Sequence, residues 1–267
     1  MSSEDQEEKS IPDDQVPEEA TDPNLQASEE DEDALDRLEK EGGELAEFDL
    51  EAQIEEFRAA IEEDPDNCIH HYNLAEALEE AGEREEARAE YERALECDIE
   101  QDFHAIIHFG MGNLIFHQLL SGIQSVVVKS SVGLHSAHKP GDSIVEVYED
   151  DYTVPIHHFQ KAIEHLPQLK ADDELVDYIS KEAPVQLANI YYKWASDLID
   201  KSRQITKYGG EIQDVQKAVK LMKKTLEIDP NHSQANLMSK YAKKMLAEGW
   251  KAFDEYGFEA KNIEGLG

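Results

Sequence analysis

The chain has 267 residues, 61 acidic against 25 basic, for a formal charge of −36. That length allows one or two domains of roughly 150 residues each, and a hydrophobic share of 40% suffices for a real core. The acidity argues against nucleic acid and anionic membrane surfaces as partners, because both are polyanions. Two cysteines, Cys68 and Cys97, cannot build a disulfide framework, and Met1-Ser-Ser-Glu-Asp is no basic, apolar leader. The expectation is a reduced, cytoplasmic protein.

The charge is unevenly spread. Residues 1–50 carry 20 acids and 3 bases, whereas residues 201–267 carry 9 acids and 12 bases. Between Met1 and Ala34 the only large apolar residues are Ile11, Val16 and Leu25, interrupted by Pro12, Pro17 and Pro23. Such a segment buries too little apolar surface to offset its ordering entropy, so residues 1–33 are expected to be a disordered acidic arm ahead of a folded domain over 34–267. An acidic front and a weakly basic back would also suit head-to-tail self-association.

Three segments then repeat one pattern. A large apolar residue with a small one three positions on recurs in Phe57-Ala60, Tyr91-Ala94 and Phe159-Ala162, the last two preceded four positions earlier by Ala87 and Pro155, with Ala218-Met222-Thr225 following more loosely. Spacings of four and three put each set on one helix face, where small residues admit a neighbouring helix closely. Closing prolines stop several of these helices at Pro65, Pro167 and Pro230. Upstream lie partner helices: Leu74-Ala75 with Leu78 and a turn at Gly82, Met111-Gly112-Asn113 with Ile115-Phe116, and Leu187-Ala188-Asn189 with Tyr191-Tyr192. From Phe103 to Val128 there is no formal charge, but His104, His108, Asn113, His117, Gln118 and Gln124 interrupt the run. Those polar groups would be unsatisfied in lipid, so a buried helix rather than a membrane span is expected.

These residues together resemble the tetratricopeptide repeat family. The unit at 68–101 fits without a gap, through Leu74, Ala75, Leu78, Gly82, Ala87, Tyr91 and Ala94. The resemblance implies an all-α solenoid of about three and a half helical hairpins. Gly112 and Phe159 are 47 positions apart where Ala75 and Tyr91 are 16 apart, which locates an insertion at about 121–150 inside the third unit. It reads either as a small hairpin or as a continuation of the preceding helix. A second, shorter insertion surrounds Gly209-Gly210. An amphipathic capping helix is expected over 233–246, then an aromatic tail of Trp250, Phe253, Tyr256 and Phe258 to residue 267.

No glycine-rich phosphate loop, Gly-x-Ser-x-Gly or His-Glu-x-x-His is present, so neither an enzyme nor a cofactor is expected. Eight of eleven histidines lie between His104 and His165. His104 and His108, four apart, share a helix face and raise a histidine-based metal-binding protein as an alternative, although no third ligand has a fixed spacing. The leading expectation is a scaffold or adaptor that binds a protein segment; a chaperone for an assembling or secreted client is the other alternative. In the family, first helices line a concave groove, which implies Tyr72, Phe109, Asn113, Phe116, His117, Asn189, Tyr192 and Lys193 as groove residues. The lysines and arginine with which some family members clamp an acidic C-terminus have no counterparts here, where Tyr72, Ile106 and Gly110 stand. With acidic walls over 51–100, an apolar or basic segment is the expected ligand.

Overall fold

The computed structural model describes residues 49–132, 147–204, 209–253 and 258–267. The acidic arm over 1–33, the start of the expected folded domain and the centre of the 121–150 insertion lie outside them. A helix α1 over 49–63 is followed by α2 (Cys68–Glu80), α3 (Arg84–Cys97), α4 (His104–Val132), α5 (Asp150–His165), α6 (Asp173–Ser202), α7 (Glu211–Ile228) and α8 (Ser233–Glu248). Helix α2 packs against α3, α4 against α5 and α6 against α7, with α8 laid on α7. These are the hairpins expected from the sequence. None of the described helices is long and apolar enough to cross a membrane.

Local chemistry fixes the helix ends. Asn67 caps α2 by accepting from the Ile69 N–H at 3.1 Å, and Asp172 caps α6 by accepting from Leu175 at 2.8 Å. Asp98 holds the α3–α4 turn: its two carboxylate oxygens accept from the Asp102 and Phe103 N–H groups at 3.1 and 2.8 Å. Helix α4 continues through residue 132, so the described first part of the insertion extends that helix.

The core lies in two clusters, and α4 stands between them. Ile107, Met111 and Leu114 pack with Leu74, Leu78, Tyr91 and Ala94 of the first hairpin. Phe109 and Phe116, on the other side of the same helix, pack with Tyr152, Phe159, Ile179, Leu187 and Tyr191. A helix buried on two faces has little room for charge, which accounts for the uncharged run after Phe103. Close approach is required on both sides. A Cβ on Gly110 would stand 2.8 Å from the Tyr91 hydroxyl oxygen, and one on Gly112 would stand 3.0 Å from the Phe159 ring.

Of the expected aromatic tail, Tyr256 lies outside the described residues. Trp250–Phe253 (β1) and Glu259–Ile263 (β2) form an antiparallel ribbon, pairing Trp250 with Ile263 and Ala252 with Lys261. The Trp250 indole donates to the Ser202 carbonyl at 2.9 Å, the Phe253 N–H to Arg203 at 2.8 Å and the Leu266 N–H to Leu246 at 2.6 Å. The ribbon thus ties the ends of α6 and α8 together. Gly249, at φ +86°, makes the reversal after α8; a side chain there would meet the Ile263 carbonyl at 2.3 Å.

Gly110→Ala tests the close approach. Alanine favours a helix over glycine by about 1 kcal/mol, but displacing the buried Tyr91 ring costs roughly 1–3 kcal/mol. Urea unfolding should show net destabilisation; a variant as stable as the parent would mean that Tyr91 is not pressed against α4.

Candidate functional site

A cavity of about 540 Å³ opens where α2, α4 and the first turns of α6 converge. Aromatic rings form its apolar part: Tyr72 from α2, Tyr91 from α3, Phe109 from α4 and Tyr178 from α6. Tyr72 and Tyr91 lie 5.9 Å apart between ring centroids, and Phe109 meets Tyr178 edge-to-face at 5.8 Å. Glu76, Glu79 and Glu80, all from α2, supply the charge, while Asn113 presents a carboxamide donor and acceptor. A second cavity of about 270 Å³, nearly all apolar, adjoins it and shares Tyr72, Ile106 and Leu175. Its far wall includes Leu169 and Ala171, held in place where the Lys170 N–H donates to the Asp102 carbonyl at 2.9 Å and its ammonium pairs with the Asp102 carboxylate at 2.6 Å.

Hydroxyl donors orient the carboxylates. Tyr72 donates to Glu76, and Tyr91 donates to Glu79 at 3.3 Å. The His117 ring reaches the other Glu79 oxygen at 3.4 Å. Glu76 stands at the rim, yet the groove walls desolvate its carboxylate and push its pKa up; Glu79 and Glu80 add to this and the Tyr72 hydroxyl opposes it. Burial, then the facing carboxylates, push the Tyr72 and Tyr91 phenols well up, so both remain protonated donors. Carboxylates over exposed ring faces stabilise a cation and repel an anion.

Residues 56–89 match the family model of the tetratricopeptide repeat. That segment therefore carries a tetratricopeptide repeat. No curated protein matches it. Among solved structures it is similar to YrrB, described as a TPR protein with an unusual peptide-binding site, at 22% identity over 69% of this chain and 97% of that one, with a TM-score of 0.22. A TPR repeats protein, BF2334 of Bacteroides fragilis, shares 13% identity over 79% and 98%, with a TM-score of 0.24. The assembly chaperone of RpL4 (residues 1–338) shares 13% identity over 78% and 95%, with a TM-score of 0.22.

Of the tetratricopeptide-repeat groove residues expected from the sequence, the structure gathers Tyr72, Phe109, Asn113 and His117 around one cavity. The other four lie elsewhere. Phe116 is 5% exposed and belongs to the core beneath α4. Tyr192 packs at a tilt of 36° against His232, with ring centroids 4.9 Å apart. Lys193 pairs with the buried Asp197 one turn along α6, and Asp197 also accepts from Tyr152 at 2.5 Å. Asn189 is half-buried on α6, outside the cavity lining. The sequence reading misses Glu79, Glu80, Leu175, Tyr178 and Ile179. The last three sit on turns of α6 that precede the expected repeat helix, and the signal for those turns is Asp172-Asp173-Glu174, a cap followed by first-turn acids.

A second constellation lies in the α4–α5 hairpin. The Nδ1 atoms of His108 and His158 face each other at 3.0 Å. His104 and His165 flank them, with their own ring centroids 5.1 Å apart. Burial first, then the neighbouring imidazoles His158, His104, His165 and His157, lowers the His108 pKa from 6.5 to about 3. Burial, His157 and Arg88 lower His158 to about 4 against a smaller opposing pull from Glu92.

The unfolded chain takes up these protons near pH 6.5, whereas the folded chain resists until pH 3–4. It therefore loses stability as pH falls through that window. In chelator-treated buffer, the drop in urea midpoint between about pH 7 and about pH 4.5 should shrink in a His108→Asn/His158→Asn variant. An equal drop in both proteins would assign the acid sensitivity to other groups.

Proposed function

We propose that this chain is a non-catalytic interaction scaffold whose groove between α2, α4 and the start of α6 binds a protein segment carrying a basic side chain beside apolar ones. The tetratricopeptide-repeat fold supports protein binding in general. The observation that carries the finer reading is the pairing of three α2 carboxylates with four aromatic rings in one cavity. A lysine or arginine entering there meets Glu76, Glu79 and Glu80 and the ring faces of Tyr72 and Tyr178. In this reading Asn113 and His117 contact the segment's backbone. Phe109 forms part of the apolar floor, and the adjoining cavity of about 270 Å³ accepts a neighbouring apolar side chain.

An acidic segment is disfavoured here, because like charges at the Glu76–Glu80 wall repel it. The physical division of labour is ordinary for a groove: aromatic contacts supply the affinity, and the carboxylates select by charge and hasten encounter.

Glu76→Gln/Glu79→Gln tests this reading, since glutamine still accepts from Tyr72 and Tyr91 while the charge is gone. Against a library of basic-apolar, neutral-apolar and acidic-apolar peptides, fluorescence anisotropy should show the intact protein preferring the first. The variant should bind that class about tenfold more weakly and with less salt dependence, in line with roughly 1–2 kcal/mol for a partly desolvated cation contact. Equal binding of acidic peptides, or an unchanged variant, would refute the groove's charge selection.

A further inference from the structure

The imidazoles of the α4–α5 hairpin form an arrangement that packing does not demand. His104 and His108 share a face of α4 at a spacing of four, and His158 and His165 share a face of α5 at a spacing of seven. Helix pairing brings the four rings together, with centroids at 5.1 Å (His104–His165), 5.2 Å (His108–His158), 5.9 Å (His104–His108) and 6.1 Å (His108–His165). Two imidazoles on one tetrahedral ion, bound at ~2.0–2.1 Å, have ring centroids roughly 5 Å apart. Their ligating nitrogens then lie roughly 3.3 Å apart, close to the 3.0 Å between the Nδ1 atoms of His108 and His158.

The surroundings add outer-shell partners. His104 Nδ1 lies 2.8 Å from an Asp98 oxygen, and that carboxylate is 4% exposed and fixed by two backbone N–H groups. It can only accept, so His104 carries its proton on Nδ1 and keeps the Nε2 lone pair for another partner. His165 Nδ1 stands 3.3 Å from the Gln168 carboxamide oxygen, which sets the same tautomer. Carboxylate or carbonyl oxygens holding the second ring nitrogen are how proteins orient metal-binding histidines. By contrast, the facing Nδ1 atoms of His108 and His158 share at most one proton between two lone pairs.

We propose that the α4–α5 hairpin binds one borderline divalent transition-metal ion, of the zinc, copper, nickel or cobalt class, through His108 and His158, with His104 and His165 completing the coordination. All-imidazole donors favour this class over calcium or magnesium, which take oxygen ligands. Among the described residues, as they stand, no group of three or more histidine, cysteine, aspartate or glutamate side chains is disposed to hold a metal ion. The ion therefore takes the two facing Nδ1 lone pairs, the proton between them moving to Nε2 of the ring that carried it, and draws the two flanking rings in by side-chain rotation. It would clamp α4 to α5 about one turn from the Asp98-held end of the hairpin. This inference is independent of the groove and of what the groove binds.

Titration of the full-length, chelator-stripped protein with Co(II), followed by displacement with Zn(II), tests it. The expected result is saturation at one ion per chain, visible ligand-field absorption of tetrahedral strength and a raised melting temperature. His108→Ala/His158→Ala should abolish all three, and His104→Gln or His165→Gln, kept as checks should the double variant unfold, should each weaken binding about tenfold or more. His232→Gln, at the cap of α8, should leave binding unchanged. Absence of saturable binding, a different stoichiometry, or full affinity retained in the His104 and His165 variants would overturn the proposal.

Discussion

Helix α4 must be buried on two faces at once, and the remainder of the array depends on how that is met. The first hairpin leans on Ile107, Met111 and Leu114, and the later hairpins lean on Phe109 and Phe116. Neither contact forms at the observed distance with a side chain at Gly110 or Gly112, where the Tyr91 and Phe159 rings touch the helix backbone. Dense packing transmits this requirement outward. Tyr91 can lie against Gly110 only if α3 approaches closely, and that approach sets where α2 stands. The uncharged run after Phe103 is therefore a consequence of stacking rather than of any membrane or ligand.

The groove follows from the same placement. With α2 fixed against α4, the solvent-facing side of α2 presents Glu76, Glu79 and Glu80 to the space above Phe109 and Asn113. The first turns of α6 close that space from the other side with Leu175, Tyr178 and Ile179. Further along, α6 turns its polar residues to different work: Lys193 and Asp197 satisfy each other and Tyr152 within the hairpin. One helix thus supplies an apolar wall at its start and a buried polar network at its middle, and only the wall faces the cavity.

Much of the fold was legible because repetition is a local signal. Small and large residues at spacings of four and three mark helix faces, and the prolines and Gly82 mark the ends. The expected hairpins and capping helix are all present among the described residues. Less of the site was legible. Tyr72, Phe109, Asn113 and His117 meet at one cavity, but a position-by-position transfer along the repeat also selects Phe116, Tyr192 and Lys193, which packing or pairing occupies, and Asn189, which lies outside the cavity lining. The reason is that α6 is 30 residues long where α2 has 13. The extra turns shift which part of the helix overlooks the groove. The ribbon of β1 and β2 was not legible at all, because Trp250 and Phe253 alternate over too few residues to give a periodic signal.

By itself the sequence determined the class of the fold, the order of the hairpins, the strong acidity of the first one and the glycines at which helices touch. Helical periodicity, small residues and charge act over a few positions, so they can be read in one dimension. Only the tertiary structure decided which carboxylates share a cavity with which rings, that the C-terminus folds back as a ribbon on α6 and α8, and that His104, His108, His158 and His165 meet. Those pairings span up to about 100 residues of chain. They arise from the angle and depth at which helices pack, and no local pattern encodes that geometry.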